Sequence, residues 1–251
     1  MVRYERRGAA ALLTIDRPER RNAVDGATAE ALAERLDAFE ADANARVLVL
    51  TGAGGEAFCA GADLKAIGTL DPDAPGGPLG FTRRTGAKPA IAAVEGWCLA
   101  GGLELALWCD LRIASATAHF GCAERRWGVP LIDGGTQRLP RIVGLGRALD
   151  LILTGRMVGA EEAQTIGLVT EVVAPGAALE RALALAEALA AFPQETMLSD
   201  REAALAAHGL ELADGLALEA RLGRERIAAA TRGAARFAAG EGRGGRGVAD
   251  R

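Results

Sequence analysis

Short apolar runs rich in β-branched residues alternate with helix-periodic segments through residue 173, and few architectures accommodate that order. Ala10–Ile15 reads as a strand, followed by a polar loop from Asp16 to Arg21 and a helix from about Gly26 to Asp42. Arg46–Thr51, with VLVL at its centre, reads as a buried strand that ends at the turn GAGG. Ala90–Val94 and Leu111–Ala114 are further strands with a helix between them, and Val169–Val173 closes the series. Strands separated by helices predict an α/β core with a largely parallel sheet.

From Leu179 the pattern changes to helix alone. LERALALAEALAAF, ETMLSDREAALAAHG and a long stretch from Glu211 to Ala239 are all helix-periodic, with Phe192-Pro193 breaking the first from the second. The reading divides the chain into a core over 1–190, a helical C-terminal region over 191–240 and a glycine- and arginine-rich tail over 241–251, expected to be disordered. Gly68–Gly80, rich in Pro and Gly, is either a functional loop or surface slack.

Composition narrows the partners. The net charge of −4 argues against a nucleic-acid binder, which needs a basic excess to neutralise phosphates. The N-terminus lacks the apolar region of a signal peptide, and no run approaches the roughly 18 apolar residues of a membrane span. Cys59, Cys98, Cys109 and Cys122 form no CxxC pair and lie in apolar segments, as reduced thiols of a cytoplasmic protein would. With only His119 and His208 available, no metal site is expected.

The chemistry concentrates between Gly96 and Thr136. A strand ends near Val94, a glycine-containing turn follows, and an apolar helix opens at Gly101-Gly102. The first N–H groups of a helix have no internal partner and lie at the positive end of its dipole, which suits an oxygen that gains negative charge. Glu104 stands three positions after Gly101, within reach of the same space. Taken alone, the glycine pair serves equally well for tight helix–sheet packing beside a solvated Glu104. Phe58-Cys59-Ala60-Gly61-Ala62-Asp63 supplies a second glycine-flanked backbone, and Phe120-Gly121-Cys122-Ala123-Glu124 leads to Gly134-Gly135-Thr136.

Arg17-Pro18, Arg21-Asn22-Ala23, AFCAGADL, EGWCLAGGLELALWCDLRIA, GGTQRLPRIVG and LILTGRMVGAEEAQTIGLVTEVV follow one another at spacings that resemble the enoyl-CoA hydratase/isomerase family, the crotonase superfamily, over nearly the whole chain. The resemblance implies an α/β spiral of ββα units with a helical C-terminal region that builds trimers or hexamers. It also implies an acyl-CoA thioester substrate, coenzyme A entering with that substrate and no separate cofactor. By resemblance, the Ala62 and Gly101 N–H groups form the oxyanion hole, Glu104 activates water and Glu124 exchanges the α-proton. Arg21, Ala23, Ala60, Asp63 and Lys65 fall where the family contacts CoA and substrate. Retention of both glutamates points to hydration of a 2-enoyl-CoA. Double-bond isomerisation, hydrolysis or C–C cleavage on the same platform, and a non-catalytic acyl-CoA scaffold, are the alternatives.

The chain departs from the family pattern in three places. Ala123 replaces the usual proline before the second glutamate, and Ile132 and Asp133 replace the small pair before GGT. Asp133 either faces the substrate as a third carboxylate or caps the GGT turn. Ile132 narrows an acyl pocket, and Trp127 is either its wall or a core anchor. His119 is expected to be structural. Phe237 and Arg243 match a C-terminal aromatic/basic pattern only loosely.

Overall fold

The computed structural model describes residues 1–241. The chain begins with β1 (Val2–Arg7), β2 (Ala10–Ile15), α1 (Gly26–Ala41), β3 (Val47–Gly52) and β4 (Ala57–Cys59). It continues through β5 (Ala90–Val94), β6 (Trp97–Leu99), α2 (Gly101–Trp108), β7 (Leu111–Ser115) and β8 (His119–Gly121). Then come α3 (Gly135–Val143), α4 (Leu145–Thr154), β9 (Val158–Gly159), α5 (Ala160–Thr165) and β10 (Glu171–Val173). Four helices end the described chain: α6 (Ala178–Ala191), α7 (Gln194–Ala206), α8 (Leu212–Glu225) and α9 (Ile227–Ala238).

Two sheets result, ordered β1-β2-β3-β5-β7-β10 and β4-β6-β8-β9. The larger is parallel apart from β1 against β2, and the smaller is parallel apart from β9 against β8. Successive strands therefore alternate between sheets (β3 then β4, β5 then β6, β7 then β8), and a helix or loop carries the chain to the next turn. This is the ββα spiral that the resemblance implies. β2, with neighbours on both edges, is buried at all six positions, as are the five residues of β5. Leu32, Leu36 and Phe39 form the buried stripe of α1, spaced by one helical turn.

Several elements differ from expectation. β1 reads as charged sequence because it is an edge strand with only Val2 buried. β4, β6 and β8 are three residues each, too short to show a period. The final strand starts at Glu171 rather than Val169, because the Leu168 and Val169 N–H groups both bond the Ala163 carbonyl at the end of α5. The long stretch after Glu211 is two helices, with Arg226 between them at φ −107° and ψ 8°.

The chain divides into two compact units, one spanning Met1–Ala186 and one from Glu187 onward. In the second, Glu195 of α7 pairs with Arg232 of α9 at 2.9 Å. The tail proposed from sequence lies, apart from Glu241, outside the described residues, as does Arg243.

Candidate active site

The site is built where the chain passes from β6 of the smaller sheet into α2. After β6 the chain turns through Ala100, whose φ of 52° and ψ of −126° are values that L side chains rarely adopt. The Ala100 N–H bonds the Gly121 carbonyl at the end of β8 (2.9 Å), which pins the turn. Helix α2 is apolar around its circumference and buried from Gly102 to Trp108, so Glu104 is carried inward with it and is only 3% exposed. Arg112 holds the far end: its guanidinium donates to the carbonyls of Ala106 and Cys109 at the C-terminus of α2.

Glycine lets three backbones meet. A Cβ on Gly102 would stand 2.0 Å from the Cys59 carbonyl oxygen, so only glycine permits α2 to lie this close to β4. Gly61 has φ +93°, and a Cβ there would stand 2.8 Å from the Gly101 nitrogen. Ala62 pairs with Val24 in a parallel bridge, in which the Val24 N–H bonds Gly61 O and the Asp63 N–H bonds Val24 O, each at 2.8 Å. Those groups face Val24, so the Ala62 N–H turns the other way. A Cβ on Gly101 would lie 3.6 Å from the Ala62 nitrogen. The Ala62 and Gly101 nitrogens, from different segments, thus lie close together, and the first-turn N–H of α2 is one that the helix itself cannot satisfy.

The bridge is braced from below. The Arg17 guanidinium pairs with Asp25 (2.7 Å) and Asp63 (3.2 Å) and donates to the Ala23 carbonyl. Asn22, fully buried, accepts the Arg17 N–H and donates to the carbonyls of Ala53 and Ala57.

A cavity of about 530 Å³ opens in front of the paired N–H groups. Ala60, Ala62, Ala100 and Gly101 form its floor, with Glu104 and Glu124 in its wall. Glu124 sits on a short 3₁₀ turn after β8, is 5% exposed, and has no hydrogen-bond partner for either carboxylate oxygen among the described residues. Burial raises its pKa above the usual carboxylate range, with Arg125 opposing. Glu104 Oε1 accepts the N–H of Gly135 (2.7 Å) and of Asp133 (2.9 Å). Burial outweighs those two bonds, and with repulsion from Asp133 and Glu124 it pushes the Glu104 carboxyl up to about 8. Two carboxyls held above the usual carboxylate range in one cavity with those backbone N–H groups can give and take protons.

The other sequence candidates divide between cavity and frame. Ala60, Trp127, Ile132 and Asp133 line the cavity with the glutamates. Trp127 is 72% exposed at the rim, so it is a wall residue and not a core anchor. Asp133 caps neither the GGT turn nor a helix; its carboxylate accepts the Leu79 N–H (3.1 Å) and the Thr82 hydroxyl. Ala23 and Asp63 are buried in the Arg17 brace, and Asp63 also caps the turn beginning at Leu64. Arg21, at φ 51°, pairs with Glu56 (2.7 Å) on the surface, and Lys65 is exposed beside Leu64 of the cavity wall. His119 packs against Trp97 (ring centroids 4.8 Å) away from the cavity lining, and Phe237 is exposed on α9. Among the described residues no group of His, Cys, Asp and Glu is placed to hold a metal ion, and no helix is long and apolar enough to cross a membrane.

Of the two readings of Gly68–Gly80, the functional loop is the one that fits, since Leu70, Pro72, Pro78 and Leu79 line the cavity, although sequence reasoning named none of these residues. Leu64, Ile67, Leu70, Pro78 and Leu79 line the cavity, with Thr82 and Arg138 behind them. The available signal was apolar side chains recurring in a Gly/Pro-rich stretch with no periodic face to bury them.

Known proteins resemble this chain in sequence and fold. A profile of the enoyl-CoA hydratase/isomerase family matches residues 5–241. A probable enoyl-CoA hydratase of Rhizobium meliloti is 44% identical over 87% of this chain and 86% of its own length. A short-chain-enoyl-CoA hydratase of Clostridium acetobutylicum is 41% identical over 74% of this chain and 73% of its own. The crystal structure of enoyl-CoA hydratase EchA1 from Mycobacterium marinum superposes with a TM-score of 0.90 at 40% identity, covering 94% of this chain and 95% of that one. With profile, sequence and fold in agreement over nearly its full length, the chain belongs to the enoyl-CoA hydratase/isomerase family.

Proposed function

We propose that the protein adds water across the conjugated double bond of a 2-enoyl-CoA to give a 3-hydroxyacyl-CoA. The observation that carries this reading is the pair of buried carboxyls, Glu104 and Glu124, in one cavity with the neighbouring Ala62 and Gly101 N–H groups. The relatives' names agree with it.

The thioester carbonyl oxygen accepts the two backbone N–H bonds, which stabilise the enolate-like charge that builds as water adds. A water held by Glu104 loses its proton to that carboxylate while its oxygen bonds to C3, and C2 takes a proton from Glu124. The pair therefore starts with one proton and ends with one, on the other partner, and exchange with solvent resets it. No redox cofactor or metal enters this proton balance. Both N–H contacts to Glu104 fall on Oε1, which leaves Oε2 for the reaction.

Lys65, exposed beside the cavity wall, and Arg21, once released from Glu56, are the cations offered to the phosphates of CoA. The four free, buried cysteines suit a reducing compartment, and we place the protein in the cytoplasm as a homotrimer or a pair of trimers.

The test is a panel of 2-enoyl-CoA thioesters followed by loss of the conjugated-thioester absorbance and by product mass. A gain of one water supports hydration. A shifted double bond at unchanged mass would indicate an isomerase, free CoA a hydrolase, and binding without turnover a scaffold.

A further inference from the structure

Asp133 links two parts of the site that lie far apart in sequence. It is 4% exposed, and its carboxylate Oδ1 accepts the Leu79 N–H and the Thr82 hydroxyl, both on the segment that closes one side of the cavity. Its backbone N–H meanwhile donates to Glu104 Oε1 at 2.9 Å. Arg138 clamps the same junction, donating to the Asp133 carbonyl (3.1 Å) and the Thr82 carbonyl (2.6 Å). Leu79 in turn presses on the oxyanion residue: a Cβ on Gly101 would stand 2.6 Å from Leu79 Cδ1. Glu104, Asp133, Leu79 and Gly101 thus form one closed chain of contacts around the place where a thioester must lie.

We propose that Asp133 is a positioning residue, its main chain fixing the Glu104 carboxylate and its side chain fixing the Leu79 wall against Gly101. The proposal rests on the hydration reading for its kinetic consequences only. Burial raises the Asp133 carboxyl above its usual range, and the Thr82 hydroxyl, the Leu79 N–H and the nearby charges of Arg83 and Arg138 offset part of that cost. The residue's charge has a second effect. Glu104 is faced by Glu124 from the turn after β8, by Asp133 and Arg138 from the approach to α3 and its first turns, and by the Cys122 thiol, itself pushed up to about 12 by burial. Within that set Asp133 repels a second negative charge and so helps Glu104 hold its proton.

Asp133→Asn keeps the acceptor and removes the charge, whereas Asp133→Ala removes both. We expect Asp133→Ala to raise KM several-fold, to lower kcat, and to speed hydrogen exchange at the Leu79 amide. Asp133→Asn should keep KM and Leu79 protection near wild type. It should move both the acidic limb of the kcat profile and the Glu104 titration midpoint, read by carbon-13 NMR of the carboxyl, to lower pH. Wild-type KM and Leu79 exchange in Asp133→Ala would overturn the proposal, as would an unmoved Glu104 midpoint in Asp133→Asn. Should Asp133→Ala fail to fold, the Asn variant decides alone. If no 2-enoyl-CoA is turned over, the hydration reading falls, while the midpoint and the Leu79 exchange still test the positioning role.

Discussion

At the scale of the residue, Glu104, the proposed base for water, carries a cost. Its folded-state pKa of about 8 exceeds the ordinary 4.5, so the folded protein favours the neutral form. The stability from that preference is fully present below the unfolded value and is lost as pH rises through the folded one. Glu104→Gln, which can still accept the Asp133 and Gly135 N–H bonds, should therefore melt like wild type near pH 5. At about pH 9 it should be more stable by something on the order of a few kcal/mol, a difference that denaturant titration at the two pH values will measure. Glu104 and Glu124 were legible as a pair because sequence places one at a glycine-marked helix start and the other at a spacing that matches a known family. Asp133 was visible as an oddity, but its partners were not. Leu79 and Thr82 lie more than fifty residues upstream, and no local pattern announces which hydrogen bonds a buried carboxylate will find.

At the scale of the element, the junction of β4, β6 and α2 is where sequence and geometry constrain each other most. Gly61→Ala would force a side chain onto a left-handed backbone and against the Gly101 nitrogen, 2.8 Å away. Displacing one oxyanion donor is expected to lower kcat/KM by about 10²-fold or more, with substrate binding less affected, as steady-state kinetics will show. Ala100 makes the opposite case, since it already stands at φ +52° with a side chain. Ala100→Gly should relieve roughly 1 kcal/mol net and raise the melting temperature, the relief exceeding the extra chain entropy of glycine. The three-residue strands that build this junction were not readable, because their pairing is decided by the partner strand and not by their own alternation. The helix that follows them was readable, since LELALW is apolar on every side.

At the scale of the whole molecule, alternating apolar and helical segments revealed the parallel sheet, and the loss of strand signal after Leu179 revealed the helical region. The interleaving of two sheets was not legible in the periodicities, because the second sheet consists of strands of two or three residues; only the resemblance carried it. Light scattering should return at least three times the 25.9 kDa chain mass if the proposed trimer forms, and a monomer mass would remove that part of the reading. The central claim is that Glu104 and Glu124 together add water to an enoyl thioester. The most direct measurement is a single turnover of a 2-enoyl-CoA in heavy-oxygen water by the wild type, Glu104→Gln and Glu124→Gln. The account predicts label at C3 of a 3-hydroxyacyl-CoA from the wild type, with each variant slowed by about 10²-fold or more. Label formed at the wild-type rate by either variant, or a wild-type product without label, would contradict it.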